Sequence, residues 1–80
     1  MNEPIRITLP YQFKTAVGLI KRNAEQIDDM LDDVETQAKG IDSVALLQMV
    51  DTIEVATRLA RTEIHRALKT HNYNARRWDF

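Results

Sequence analysis

Four aspartates fall within a short stretch in the first half of the chain, at Asp28, Asp29, Asp32 and Asp33. Carboxylate oxygens are the ligands that hard cations such as Mg²⁺ prefer in proteins. Because residues four apart lie on the same face of a helix, Asp28 and Asp32 would project together. The stretch therefore allows three interpretations: a metal site, a face that contacts a protein partner, or a solvated helix surface.

The aspartate stretch also has counterparts in known enzyme families. Residues 28–33, DDMLDD, resemble the DDxxD motif of prenyl-diphosphate enzymes, and the Glu25/Asp28 and Asp51/Glu54 spacings resemble those of all-α nucleotide pyrophosphohydrolases. A metal-dependent reaction, which both resemblances imply, would use a shallow groove of five carboxylates: Asp28, Asp32, Glu35, Asp51 and Glu54. Prenyl-diphosphate enzymes need a large helical cavity, which a chain of 80 residues cannot enclose, and the glutamate-rich first motif of the pyrophosphohydrolases is missing. A metal-dependent all-α hydrolase is therefore kept only as an alternative.

The remaining residues that could take part in catalysis or metal binding do not form a catalytic pattern. His65 and His71 are six apart, so they face different directions on a helix and make a poor metal pair. The chain has no cysteine, which excludes disulfides and a cysteine-based zinc site. We therefore expect no catalytic residue, no metal and no cofactor, and we interpret the protein as a non-enzyme.

Two long apolar patterns determine the predicted fold. Apolar residues recur at helical spacing over about 10–39 and again over about 43–71, with Gly40 between the two segments. Two helices of similar length joined by a short turn must run antiparallel. We predict one all-α domain over residues 1–80: an antiparallel helical hairpin with an extended N-terminal arm (1–9) and a C-terminal tail (72–80).

Charge is distributed unevenly along the predicted hairpin. Residues 1–57 contain five Lys/Arg and ten Asp/Glu, for −5, whereas residues 58–80 contain six and two, for +4, which sum to the net charge of −1. On one flank of the hairpin this places acidic residues toward the turn and basic residues toward the free ends. This flank is the predicted protein-contact face: Asp28, Asp32, Glu35, Asp51, Glu54, Arg58, Arg61 and Lys69.

The opposite flank is nearly neutral and continues the apolar stripe. An apolar surface of that extent usually marks an interface, and small helical proteins often pair into bundles. We therefore predict a homodimer that forms a four-helix bundle. The predicted dimer interface comprises Leu19, Asn23, Met30, Met49, Ala56 and Leu59, with Asn23 either setting the register or lying at the edge.

Both ends of the chain suggest further contacts. The C-terminal tail joins arginines to aromatic residues, which often anchor interfaces: Arg76, Arg77, Trp78 and Phe80. The N-terminal segment RITLP resembles the start of ribbon–helix–helix DNA-binding proteins, and this resemblance implies that Arg6 and Thr8 contact DNA. The first helix is about twice the length usual in that fold and most of the chain is acidic, so nucleic acid binding is the alternative to a protein partner.

Nothing in the sequence indicates a targeting or membrane segment. The longest uninterrupted apolar run is Val44–Leu47, far shorter than the roughly 20 residues that span a bilayer. We therefore expect a cytoplasmic regulator, adaptor or inhibitor that acts as a homodimer on a protein partner that the sequence does not identify.

Overall fold

Three helices form the chain in the computed structural model, which describes residues 4–77 and the side chains of residues 4–72. They are α1 (Tyr11–Asp32), α2 (Val34–Lys39) and α3 (Ser43–Arg77). The two long helices α1 and α3 pack against each other, and no strand occurs within residues 4–77. The predicted all-α class and the helical hairpin are therefore confirmed.

The first long helix is interrupted where the sequence predicts continuity. The stripe over 10–39 predicts one helix, but α1 ends at Asp32 and α2 begins at Val34. Between them Asp33 adopts an extended backbone, with φ −78° and ψ 117°. Its carboxylate accepts hydrogen bonds from the Glu35 backbone N–H at 3.1 Å and from the Thr36 hydroxyl at 2.9 Å. Asp33 thus starts a new helix, because aspartate side chains satisfy the free N–H groups of a first turn.

The turn between α2 and α3 follows the predicted chemistry. Gly40 has a φ of +91°, a backbone conformation that only glycine adopts without strain. Asp42 then caps α3, since its carboxylate accepts from the backbone N–H groups of Val44 at 3.0 Å and Ala45 at 3.3 Å. These two residues reverse the chain direction, and they bring α3 back along α1.

The open end of the hairpin contains the last turns of α3 and the N-terminal arm. α3 continues to Arg77, six residues past the predicted end near 71. Residues 4–10 form neither helix nor strand; in this arm Ile7 and Leu9 are half-buried, whereas Arg6 and Thr8 are exposed. Ile5, in contrast, is 60% exposed. The paired strand of the ribbon–helix–helix resemblance is not tested by a single chain.

The interior of one hairpin is small. Among the residues that the structure describes, the buried apolar residues are three alanines, Ala16 at 3% exposure, Ala56 at 1% and Ala60 at 9%. Phe13, Leu19 and Ile20 pack partly against them. Alanine contacts let two helices approach to the short end of the usual range of about 8–10 Å between axes. The close approach leaves most of the larger apolar side chains outside the α1–α3 contact.

The cap at Asp33 gives a first testable prediction. In Asp33→Ala the first-turn N–H groups of α2 lose their acceptor, so we expect the free energy of unfolding to fall by about 1 kcal/mol. Urea denaturation followed by circular dichroism measures this loss in the free energy of unfolding. Asp29→Ala, which removes an exposed aspartate of the same stretch from the last turn of α1, is the control and should change stability by less than about 0.5 kcal/mol. Equal losses in both variants would contradict the capping role.

Candidate protein-contact surfaces

The apolar residues of the two long helices follow a heptad pattern, with alternating steps of four and three. In α1 they are Phe13, Val17, Ile20, Ala24, Ile27 and Leu31; in α3 they are Leu46, Val50, Ile53, Ala60, Ile64 and Leu68, with the polar Thr57 at one position of the pattern and a second step of four at its end. Steps of this kind keep an apolar seam on one side of a helix and are typical of coiled coils and helical bundles. The sequence therefore contains an apolar seam of the kind found in helical bundles. The general amphipathic pattern did not distinguish this heptad spacing.

The seam does not coincide with the contact between α1 and α3. At about 100° per residue, the middle of the seam lies well to one side of the line through the buried Ala16 and Ala56. Val17, Leu31 and Val50 are accordingly 43%, 48% and 46% exposed. We call the seam residues on this side the apolar face: Phe13, Val17, Ile20, Ala24, Leu31, Leu46, Val50, Ile53, Ile64 and Leu68.

The opposite side of the hairpin is more polar and carries a small groove. The groove has a volume of about 280 Å³ and is lined by Leu19, Asp51, Thr52, Val55, Ala56 and Leu59. Val55 and Leu59 are exposed there at 57% and 48%. Polar residues such as Gln12 and Gln26 border the same side, so its apolar part is confined to this groove.

The residues predicted for the dimer interface divide between these locations. Leu19, Ala56 and Leu59 meet in the small groove, and Ala56 is already covered by its own hairpin. Asn23 is half-buried, and its amide donates to the Leu19 carbonyl at 2.8 Å within α1. Met30 and Met49 are half-buried as well. The structure thus places this set at the hairpin contact and on its polar side, and one chain does not test which residues meet a second copy.

The predicted charged face lies on the outer surface of the hairpin. All eight of its residues are exposed: Asp28, Asp32, Glu35, Asp51, Glu54, Arg58, Arg61 and Lys69. Glu54 and Arg58 form an exposed ion pair at 2.5 Å, one turn apart on α3. Such pairs contribute at most about 1 kcal/mol to stability, so this surface is available for contacts rather than committed to the fold.

The carboxylate groove expected for a metal-dependent enzyme does not form. Within the part of the chain that the structure describes, no three acidic or histidine side chains come together in a way that could hold a metal ion. The acids on α1 and those on α3 point outward from their own helices, because the seam and the alanine contact occupy the inner faces. The expectation that Asp28, Asp32, Asp51, Glu54 and Glu35 line one groove was therefore wrong.

One carboxylate that sequence reasoning did not select is buried. Glu63 is 7% exposed, on the side of α3 that faces α1, and its Oε1 accepts from the Arg66 guanidinium at 3.0 Å. The guanidinium itself remains 68% exposed. A buried carboxylate costs free energy unless it is paired and hydrogen-bonded. The signal in the sequence was that Glu63 interrupts the positions of Ala56, Ala60 and Ala67 on the same stripe.

This pair gives a second prediction, with a matched control. Removing the guanidinium in Arg66→Ala leaves the buried Glu63 carboxylate without its partner, and we expect a loss of about 1–2 kcal/mol in the free energy of unfolding. Arg58→Ala breaks the exposed pair with Glu54 and should cost less than about 1 kcal/mol. In the double variant Glu63→Gln/Arg66→Ala most of the stability should return. Equal losses for Arg58→Ala and Arg66→Ala, measured by urea denaturation, would contradict the importance of burial.

The N-terminal arm and α3 enclose a second groove beside Glu63. It has a volume of about 440 Å³ and is lined by Thr8, Pro10, Gln12, Glu63, Arg66, Ala67, Thr70 and His71. The arm thus packs along the part of α3 that extends past α1.

The predicted tail contacts are only partly described by the structure. Arg76 and Arg77 are the last two residues of α3, so the segment predicted as a tail begins as helix. Trp78 and Phe80 lie outside the described residues. Their proposed role in partner contact stays a prediction.

Neither the character of the helices nor comparison with known proteins indicates a function for this chain. None of the helices within residues 4–77 combines the length and the apolar character that crossing a bilayer requires. Comparison with protein-family models, with curated proteins and with solved structures finds no match for this chain. The surfaces of the hairpin are therefore the features that indicate its function.

Proposed function

We propose that this chain is a non-enzymatic protein-binding module of the cytoplasm that works as a homodimer, with two hairpins forming a four-helix bundle. The observation that carries the proposal is the excess of surface on a single chain. Its accessible surface is 7121 Å², whereas a compact monomer of 9.3 kDa is expected to expose about 5,000 Å². The radius of gyration is 18.8 Å, against about 12 Å for a compact domain of this length.

The interior of the single hairpin supports the same conclusion. Three buried alanines contribute little apolar burial, because the stabilisation scales with the area removed from water at about 25 cal/mol per Å². Small domains without disulfides or a structural metal usually gain stability from oligomerisation or close helix packing. Covering the apolar face with a second copy supplies the missing core.

The apolar seam of each helix points in the direction expected for a helix in a four-helix bundle. In such a bundle each helix contacts two neighbours, so its apolar stripe points between them and not at either one. Here one neighbour is the other helix of the hairpin, at Ala16 and Ala56, and the apolar face turns away from that contact. A second hairpin placed over the apolar face would be the other neighbour of both helices.

The charged outer surface is where we place the contact with a protein partner. With the apolar faces covered, the exposed residues of the charged face still surround the dimer. Acidic side chains lie toward the turn and basic side chains toward the free ends, and such a distribution orients a partner of complementary charge. This arrangement suits an adaptor, a regulator or an inhibitor, each of which acts by binding.

Sedimentation equilibrium of the full chain tests the proposed dimer. We expect the mass of two chains at micromolar concentration, and an unfolding temperature that rises with protein concentration, because association stabilises only the folded state. A mass of one chain, together with an unfolding temperature independent of concentration, would refute the homodimer. Partner binding is tested by recovery of a protein from native lysate with the wild type and its loss with Asp32→Lys/Lys69→Glu, which keeps the net charge and changes exposed residues of the charged face.

A further inference from the structure

We propose that the second copy packs head to tail on the apolar face, so that the turn end of each hairpin covers the open end of the other. The turn end is the end at Gly40, and the open end is the end at Tyr11. The inference rests on the proposed function, since it specifies the orientation of the same homodimer. In this arrangement α1 lies antiparallel on α1 of the partner and α3 lies antiparallel on α3 of the partner. The alternative two-fold packing places α1 against α3 of the partner with both turn ends together.

The register within the hairpin fixes where each charge lies. Leu19 meets Ala56 and Leu59 in the small groove, which aligns these positions of α1 and α3. Counting from there along two antiparallel helices places Asp28 level with residues 47–50, and Lys21 level with residues 54–57. Five charged residues border the apolar face on its outer edges: Lys14, Lys21, Asp28, Glu54 and Arg61. Acidic members therefore border the half toward the turn, and basic members border most of the open half.

The head-to-tail arrangement brings opposite charges together. The apolar face is centred near Thr57 on α3, midway between Leu46 and Leu68. A two-fold axis at this level places Glu54, three residues before the centre, beside the partner's Arg61, four residues after it. The same axis places Asp28 within about one turn of the partner's Lys14. It also brings Lys21 close to the partner's Lys21, so the pairs of opposite charge outnumber this one like pair. Opposite charges at positions that flank the seam of adjacent helices select the partner and its orientation.

The arrangement with both turn ends together brings like charges into contact. There α1 runs beside α3 of the partner at the same level, so Lys14 would lie next to the partner's Arg61. In that arrangement the pair of opposite charges along the border is Lys21 with the partner's Glu54. Like charges across an interface oppose association and suppress that mode of packing. The distribution of charge along the hairpin thus favours the head-to-tail dimer.

The apolar face is large enough for this contact. Residues 13–31 of α1 span about 27 Å at 1.5 Å per residue, and two helices side by side are about 20 Å wide. Covering this area on both copies removes about 1,100 Å² from water before the bordering side chains are counted. A biological interface is expected to exceed about 1,000 Å² in total. The area is therefore that of a specific dimer and suits a second copy of the same elongated shape.

The orientation is tested by electron paramagnetic resonance distances between two spin labels in the dimer. The natural chain has no cysteine, so Lys39→Cys and Lys21→Cys each introduce a single labelling site. Lys39 is exposed at the turn end, and Lys21 is exposed beside the centre of the apolar face. Head-to-tail packing predicts a separation of roughly 50 Å between the Lys39→Cys labels, from 1.5 Å per residue on either side of the centre. The Lys21→Cys labels should lie within about 25 Å of each other, because adjacent helix axes are about 8–10 Å apart.

Different results identify different failures. A short distance from the Lys39→Cys labels would overturn the head-to-tail orientation and leave the homodimer standing. No dipolar signal from either variant, together with the sedimentation mass of one chain, would refute the homodimer itself. Salt gives an independent check: raising NaCl from 50 mM to 500 mM should weaken a head-to-tail dimer several-fold, since its bordering charges attract. Tighter association at high salt would contradict that orientation.

Discussion

The variant Val50→Glu is expected to dissociate the dimer and to abolish cooperative unfolding. Val50 lies on the apolar face and is 46% exposed in one chain, so within a monomer a glutamate there would remain in contact with water. In the dimer the same carboxylate would be buried in the seam between two copies of α3, without a partner. Leaving an uncompensated charge in an interface costs about 3 kcal/mol or more, which is more than a hundredfold in the dissociation constant.

The control for this variant is Val55→Glu, five residues away on the same helix. Val55 is 57% exposed, and its side chain points about 140° around the helix from Val50, into the small groove on the other side. The two substitutions have the same chemistry and similar exposure, so a monomer would tolerate both. We expect Val55→Glu to keep the mass of two chains by sedimentation and a sharp thermal transition. If both variants retain the dimer mass, the apolar face is not the interface.

The hairpin was predictable because its determinants are local. The apolar spacing of 13–31 and 46–68 predicts two long helices, and Gly40 with Asp42 provides the chemistry of the turn between them. A left-handed glycine and an N-terminal carboxylate cap act within a few residues of their own positions. Such signals can be recognised in the sequence without knowledge of the tertiary contacts.

The break at Asp33 could have been found from the sequence by weighing a competing interaction. Aspartate competes with the helix for backbone N–H groups, and Thr36 lies three residues further on, where it adds a second donor to the same carboxylate. The unbroken apolar stripe hid this signal, because Leu31, Val34 and Ala38 continue its spacing. Local capping prevailed over the apolar pattern here, because α2 contains no buried residue whose packing would favour a continuous helix.

The rotation of the helices was less accessible to sequence reasoning. The average apolar stripe of each helix, centred near Ile20 and Leu46, would point these larger residues at the other helix. In the structure the small residues Ala16 and Ala56 occupy the centre of that contact, and Ile20 packs against them from one side. Small side chains allow the backbones to approach closely, and the larger side chains are displaced to the apolar face. Which part of a stripe faces which neighbour depends on the complete assembly, and one chain's pattern does not specify it.

The same displacement explains why the carboxylate groove was a wrong expectation. A groove of Asp28, Asp32, Asp51 and Glu54 requires the charged flank to be close to the line between the helices. Rotation toward the alanine contact moves that flank outward, so its residues are exposed and separated. Glu63, by contrast, is carried inward by the same rotation and becomes the buried acid.

The variant Ala56→Leu is expected to destabilise the hairpin itself by about 2–3 kcal/mol, in the upper part of the usual range for overpacking. Ala56 is 1% exposed at the contact between α1 and α3, beside Ala16 and Ala60. Three added carbon atoms have no space there unless the helices separate. Separation would loosen the packing of Leu19 and Ile20 against the alanines. Urea denaturation at fixed protein concentration measures the loss.

The control is Ala38→Leu, at an exposed position of α2 where added carbons meet solvent. This change should alter stability by less than about 0.5 kcal/mol, because surface substitutions away from special features are close to neutral. Ala56→Leu also separates two roles for one residue. If Ala56 contacts its own hairpin, its enlargement lowers stability and loosens the monomer; if it lies at the edge between copies, a leucine adds apolar area and tightens the dimer. A higher dimer affinity with unchanged cooperativity of unfolding would contradict the alanine contact within the hairpin. Ala56 would then be assigned to the interface between the two copies.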